Sequence, residues 1–341
     1  MATADSSKTY RKDIEQALES VVSLEKLRGE SVLVTGATGT VGSFICDMLS
    51  FSGQHIHVYA LGRSRERLDA LFGGRPSVTA VVQDLDDELR LPFSASYIIH
   101  AAGNAYPAAF KEDPAGILVN FVMGTKKLLD YALAAGTKRF LYISSGEVYG
   151  ADKAADEEFT EDEAGGVNPS RSRSCYPVGK MAAENLCSCY TAMHGLETVS
   201  ARLCHTFGPV FSAKDNRAAA EFLSKASRGE DLTLQSLGLA YRSYCYIADT
   251  ASAVLTLLAC GNSGEAYNVA NSDAKATIRE FAEIAAEIGG SKVILRPRGE
   301  QKVHNQVLCV KKLEALGWKG RYTVREGIGH ALQVLHELNK T

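Results

Sequence analysis

Residues 31–49 read Ser31-Val-Leu-Val-Thr-Gly36-Ala-Thr-Gly39-Thr-Val-Gly42-Ser-Phe-Ile-Cys-Asp-Met-Leu49, and this stretch decides the fold. Ser31–Thr35 is a short apolar run of the kind a buried strand needs. A helix, Thr40–Ser50, opens directly after a glycine turn. Gly36 allows the tight turn, Gly39 lets the backbone approach a pyrophosphate, and Gly42 lets helix and strand pack closely. Thr38, Thr40 and Val41 complete the turn. The first N–H groups of the helix lack partners and carry the positive end of its dipole, so they suit an anion. A glycine-rich turn with no ligand would look similar, and the placement between strand and helix is what gives this one chemical meaning.

Outward from that turn the pattern alternates. Strands are expected at 56–61, 78–82, 97–101, 139–144 and 198–203, and helices at 65–72, from Pro114 to about 135, and from about 176 to 194. Asp113, Pro114 and Gly136 bracket the long helix as N-cap, first position and left-handed terminator. After residue 204 the pattern loosens. It gives helices at 216–228, 250–259, 278–288, 310–316 and 324–338, and strands at 232–234, 243–247 and 292–295. The expected fold is α/β, a Rossmann-type doubly wound parallel sheet with a smaller C-terminal α/β substrate lobe. Residues 1–30 form a helical lead-in, with Ile14, Leu18, Val21 and Leu24 at helical spacing. Residues 31–203 form the dinucleotide domain, with a return segment at about 240–272, and residues 204–239 and 273–341 form the lobe.

The bulk numbers exclude several classes. The chain has 341 residues, 45% of them hydrophobic, and a net charge of −3, so no basic face for nucleic acid is implied. No apolar run is long enough to span a membrane, and the N-terminus lacks the apolar core of a secretory signal. The eight cysteines are scattered without any C-x-x-C pair, which suggests reduced thiols in a cytoplasmic protein and no metal site.

An acidic residue at the end of the second strand normally holds the adenine ribose of NAD. Here that place reads Leu61-Gly62-Arg63-Ser64-Arg65. Arg63 suits the 2′-phosphate of NADP or stacking on adenine, and it is equally readable as a solvated loop charge. Asp84, followed by Leu85 at the end of the third strand, is placed for the adenine amino group. Ala101 and Ala102 close the fourth strand against the cofactor. Tyr176-Pro-Val-Gly-Lys180 puts a phenol and an ammonium on one helix face, where the ammonium is expected to favour the phenolate. A tyrosinate can take a hydroxyl proton as hydride leaves the same carbon, and Ser145 can hydrogen-bond that oxygen.

These motifs together carry a resemblance. Gly36–Gly42, Ser144-Ser-Gly-Glu-Val-Tyr-Gly150, Tyr176 with Lys180, and Arg202–Pro209 resemble the extended short-chain dehydrogenases called NAD-dependent epimerase/dehydratases, over residues 30–340. Arg173–Lys180 with Ala183-Glu184, and Tyr241–Asp249, are similar to the UDP-glucuronate decarboxylases within that family. The resemblance implies a bound, recycled NAD or NADP that oxidises C4 of a nucleotide sugar and later returns the hydride. It implies catalytic roles for Ser145, Tyr176, Lys180 and Glu147, and substrate contacts from Arg173, His205 and Arg242. It also implies a homodimer built as a four-helix bundle from helices 115–135 and 176–194. Ile117, Phe121, Leu128, Leu186 and Tyr190 read as surplus to one buried face of those helices.

Three departures from the family pattern stand out. Gly146 occupies the place of an acid or a hydroxyl, His205 replaces an asparagine, and the carboxylate of the second strand is missing. Without an acid at 146, loss of water from C6 lacks a proton donor. A uronate decarboxylase is therefore the leading reading, with a 4- or 5-epimerase, using Glu147 as base, as the alternative. A non-catalytic NADP-binding scaffold is the third reading, and the intact Ser145, Tyr176 and Lys180 set argues against it.

Overall fold

A computed structural model describes residues 4–103, 105–150, 152–163, 165–211, 215–299 and 303–340. In chain order the elements are α1 (Lys8–Glu19), β1 (Ser31–Thr35), α2 (Thr40–Phe51), β2 (His57–Gly62), α3 (Arg65–Phe72), β3 (Val78–Val82), β4 (Tyr97–His100), α4 (Ala109–Glu112), α5 (Pro114–Ala135), β5 (Arg139–Ser145), α6 (Cys175–His194), β6 (Glu197–Leu203) and β7 (His205–Phe207). They continue with α7 (Ala218–Ala226), β8 (Leu232–Leu234), β9 (Tyr241–Tyr246), α8 (Ile247–Cys260), β10 (Glu265–Val269), β11 (Lys275–Thr277), α9 (Ile278–Gly289), β12 (Val293–Leu295), α10 (Lys311–Glu314) and α11 (Val324–Leu338).

Seven strands form one parallel sheet in the order β3-β2-β1-β4-β5-β6-β10. The period of two decides which helices cover each face. Val32 and Val34 pack with Phe44 and Leu255 from α2 and α8, whereas Leu33 packs with Leu128 and Cys187 from α5 and α6. Leu141 and Ile143 of β5 join the first set and Phe140 and Tyr142 the second. A sheet covered on both faces explains why these strands read as continuous apolar runs. Strand order reverses between β1 and β4, which is where ligands bind in open α/β sheets.

The sequence predicts six strands in this sheet, and β10 is the seventh. It lies in the expected return segment and pairs with β6, so the segment closes the sheet edge as well as returning to the domain. The helix expected at 250–259 begins at Ile247, because β9 ends at Tyr246 and turns straight into α8. The helix expected at 310–316 shrinks to the four residues of α10. Asp113 caps α5 by accepting from the Gly116 N–H, and Gly136 ends it at φ 68°.

Two smaller sheets accompany the main one, β11-β9-β7 and β12-β8. The lead-in is not peripheral, since Tyr10, Ile14 and Ala17 of α1 are buried in the main core. Among the described residues no helix is long and apolar enough to cross a membrane.

Candidate active site

At the end of β1 the chain turns at Gly36, whose φ is +66°. A Cβ there would lie 2.7 Å from the Ala101 carbonyl oxygen. A Cβ at Gly42 would press on the Gly36 carbonyl oxygen. Backbone therefore meets backbone at both points, and only glycine fits. Gly39 is the N-cap of α2 and brings no side-chain bond, so the first N–H groups of the helix stay available to an anion.

The turn opens onto a cavity of about 440 Å³. Gly36, Gly39, Thr40, Val41, Gly42 and Ala101 line one end, and Ser145, Glu147, Tyr176, Lys180, His205, Arg217 and Arg242 line the other. Such a cavity suits a dinucleotide, with a bare glycine turn at one end and titratable groups at the other. Ala102 supports this wall from behind by donating its N–H to Thr35 Oγ1 at 3.2 Å.

Five expected cofactor residues, Ala102 among them, lie outside the cavity wall. Thr38 accepts from Arg67 Nη2 at 2.8 Å through its carbonyl. Arg63 and Asp84 face one another at 3.7 Å. Leu85 follows Asp84 in the loop after β3, so these residues flank the place where the adenosine half would lie.

β5 delivers Ser145, and α6 delivers Tyr176 and Lys180 from adjacent turns of one face. The Tyr176 ring is boxed by Phe110 at 4.8 Å and Phe121 at 5.6 Å. Burial, and secondarily the Glu147 charge, push its phenol up to about 12, while Ser145, Arg217 and Arg173 act in the opposite direction. Lys180 donates to the Ile143 carbonyl at 2.7 Å and lies over the Phe121 ring at 4.4 Å. Burial lowers its ammonium to about 7. The ammonium stands 5.9 Å from the Tyr176 ring centre and gives one of its three donors to the backbone.

Glu147 faces the cavity, with both carboxylate oxygens taken by Arg173 Nη2 at 3.2 and 3.0 Å. Arg173 stacks on Phe110 at 4.7 Å and so touches the site through Glu147. Gly146 is buried; a Cβ there would lie 3.2 Å from a Leu308 methyl, and its carbonyl accepts from Gln306 Nε2 at 2.9 Å.

Three basic side chains close the far end. His205 is held at about 3 by the desolvating cleft walls, then by the charges of Arg242 and Arg217. Arg242 donates to the carbonyls of Tyr241 and His304 and forms no ion pair among the described residues. Arg217 is gripped by buried Asp215 at 2.9 and 2.6 Å and faces Tyr176. Sequence reasoning missed Arg217 and Gln306. Arg217 lay inside an expected helix at 216–228, whereas α7 starts at Ala218 and Arg217 turns back at its N-cap. An Asp two residues before an Arg at a helix start was the available signal. Among the described residues no side-chain cluster can hold a metal ion.

The sequence profile described as "NAD dependent epimerase/dehydratase family" matches residues 32–270. UDP-glucuronic acid decarboxylase 3 of Arabidopsis thaliana is 31% identical over 303 residues, 87% of this chain and 86% of that one. The UDP-glucose 4-epimerase of Thermus thermophilus, solved with NAD, superposes with a TM-score of 0.75 at 25% identity, covering 91% of this chain and 100% of the other. RMD from Pseudomonas aeruginosa, solved with NADPH, gives a TM-score of 0.72 at 26% identity, covering 91% and 99%.

Proposed function

The chain belongs to the NAD dependent epimerase/dehydratase family, and from that premise we propose that it decarboxylates a nucleotide-linked uronate through transient oxidation at C4. The observation that carries the reaction type is Gly146. It carries no side chain, and the space where one would begin meets the Leu308 methyls and the Leu203 carbonyl, so no acid stands there to expel water from C6. Loss of CO2 needs no acid at that spot, because a C4 ketone takes the electrons left on C5, and the enolate so formed takes its new C5 proton from water before the ketone is reduced. The similarity to the Arabidopsis decarboxylase supports UDP-glucuronate as the first substrate to offer.

A nicotinamide held along the Gly36–Gly42 turn would supply one function, reversible hydride transfer with C4. The other steps belong to the chain. The Tyr176 oxygen takes the C4 hydroxyl proton and returns it when the ketone is reduced, with Ser145 hydrogen-bonding the same sugar oxygen. Lys180 fixes the helix face beside the phenol. Arg242, which forms no ion pair among the described residues, and Arg217 offer forked donors to the substrate diphosphate or carboxylate, and His205 presents a neutral imidazole beside them. Glu147, held by Arg173, repels the sugar carboxylate and favours its departure as neutral CO2.

The second reading is C5 epimerisation with Glu147 as base. It requires Glu147 to release both oxygens from Arg173. Product masses separate the readings: a uronate losing one CO2 supports decarboxylation, an isobaric product supports epimerisation, and a hexose nucleotide losing water overturns the argument at Gly146.

We also propose that NADP is accepted at least as well as NAD, since no carboxylate ends β2 and Arg63 follows it directly. A homodimer through α5 and α6 fits the exposure of Val119 (53%), Met123 (46%) and Met181 (37%) on these packed helices. The residues that read as surplus in the sequence serve another purpose: Ile117, Phe121, Leu128 and Tyr190 are buried within the chain. Eight free thiols suit a reducing, cytoplasmic setting.

A further inference from the structure

The loop after β3, residues 83–88, carries Asp84, Asp86, Asp87 and Glu88 and yet is tightly ordered by hydrogen bonds. Its carbonyls at Leu85, Asp86 and Asp87 converge on one ammonium, Lys127 Nζ, at 2.7, 2.9 and 2.8 Å. Lys127 projects from α5. One turn earlier on that helix, Gly124 lies flat against the loop, where its missing Cβ would sit 3.7 Å from the Leu85 Cβ. One turn before that, the Asn120 amide donates to the Asp86 carboxylate at 3.4 Å. With its carbonyls drawn to α5, the loop presents Asp84 the other way. The Asp84 carboxylate accepts from the Asp86 N–H at 3.1 Å and stands 3.7 Å from Arg63.

Three consecutive carbonyl dipoles pointed at one place repel each other unless a cation sits among them, and hydrogen bonds to a charged donor are the strong kind. Removing the ammonium leaves three acceptors to turn toward water, and Asp84 and Leu85 turn with them. We propose that Lys127 is a positioning residue for the adenosine half of the cofactor. It touches no part of the cavity and acts by holding the 84–87 loop opposite Arg63. The inference rests on the reading that Arg63 and Asp84 flank the adenosine.

The test is calorimetric titration of the full-length protein with AMP, NADP and nicotinamide mononucleotide, for wild type, Lys127→Met, Lys127→Arg and Asp84→Ala. Lys127→Met is expected to lose about tenfold in affinity for AMP and NADP, the loss of one charged hydrogen-bonding partner. Affinity for nicotinamide mononucleotide should hold, kcat at saturating cofactor should change less than about twofold, and Lys127→Arg should recover most of the loss. Wild-type AMP affinity in Lys127→Met, with a loss in Asp84→Ala, overturns the clamp and leaves the adenosine reading standing. Wild-type affinity in both variants overturns the adenosine reading and the clamp with it. An equal loss for AMP and nicotinamide mononucleotide marks general damage and also overturns the clamp.

Discussion

At the scale of single residues, the proton-transferring oxygen is the most exacting commitment. Tyr176→Phe removes one oxygen from a ring already boxed by Phe110 and Phe121, so fold and cofactor binding should persist. Turnover should fall by about 10²–10⁴-fold, the usual contribution of a positioned proton-transfer group. A steady-state rate near wild type would remove Tyr176 from the mechanism. Lys180 makes a second commitment, through pH. Its folded-state value lies near 7, below the ordinary lysine range, so the unfolded chain binds more protons than the folded one between about 7 and 10.5. The buried ammonium therefore destabilises the ligand-free fold at and below neutral pH, and stability is regained as pH rises through that window. Urea midpoints of wild type and Lys180→Met, compared at pH 7 and pH 9, should show the wild type gaining more on the upward step. Parallel midpoints would contradict the burial argument. The Tyr176 and Lys180 pair was legible because a spacing of four on a helix is a statement about one face. The partner of Lys180 was not, because Ile143 becomes its neighbour only when β5 meets α6. Arg217 was hidden for a similar reason, since an error of two residues in where α7 starts moves it from the helix to the N-cap.

At the scale of elements, the turn from β1 to α2 was readable almost atom by atom. Its glycines are demanded by backbone contacts within the turn and with the neighbouring strand end. Gly42→Ala would press a methyl against the Gly36 carbonyl and should destabilise the fold by roughly 1–3 kcal/mol, read from urea unfolding. An unchanged midpoint would mean that the turn can relax. The end of β2 carries the cofactor prediction. Arg63→Ala should weaken NADP about tenfold or more and NAD much less, since only NADP offers a phosphate to a guanidinium. Equal effects on both would make Arg63 a partner of Asp84 alone. β10 escaped the reading because Glu265–Val269 is short and gains its place only by pairing with β6. Nothing in five residues says which sheet edge they will find.

At the scale of the whole molecule, the lead-in helix joins regions distant in the chain. Asp13 is fully buried and meets Tyr246 Oη at 2.6 Å, Tyr322 Oη at 3.1 Å and His330 Nδ1 at 2.6 Å. It thus ties α1 to β9, the strand that also carries Arg242, and to α11. Asp13→Ala leaves those partners facing a buried gap and should cost about 3 kcal/mol in urea unfolding. The sequence showed α1 as an amphipathic helix; what it would cover was not in its periodicity, since α2, α8 and α11 supply that surface together. The exposed apolar flank of α5 makes the claim on assembly. Light scattering should find a dimer in the wild type and a monomer in a Val119→Glu, Met123→Lys double variant, and a wild-type monomer would remove the claim.

The proposed reaction turns on a hydride borrowed from C4 and returned there around a decarboxylation. It is followed most closely by mass spectrometry of the products formed from UDP-glucuronate carrying deuterium at C4. The expected product is a UDP-pentose that has lost one CO2 and kept the deuterium, with no deuterated nicotinamide accumulating. A product that has lost the label to free reduced cofactor, or a labelled uronate that emerges with its carboxylate intact, is incompatible with that reaction.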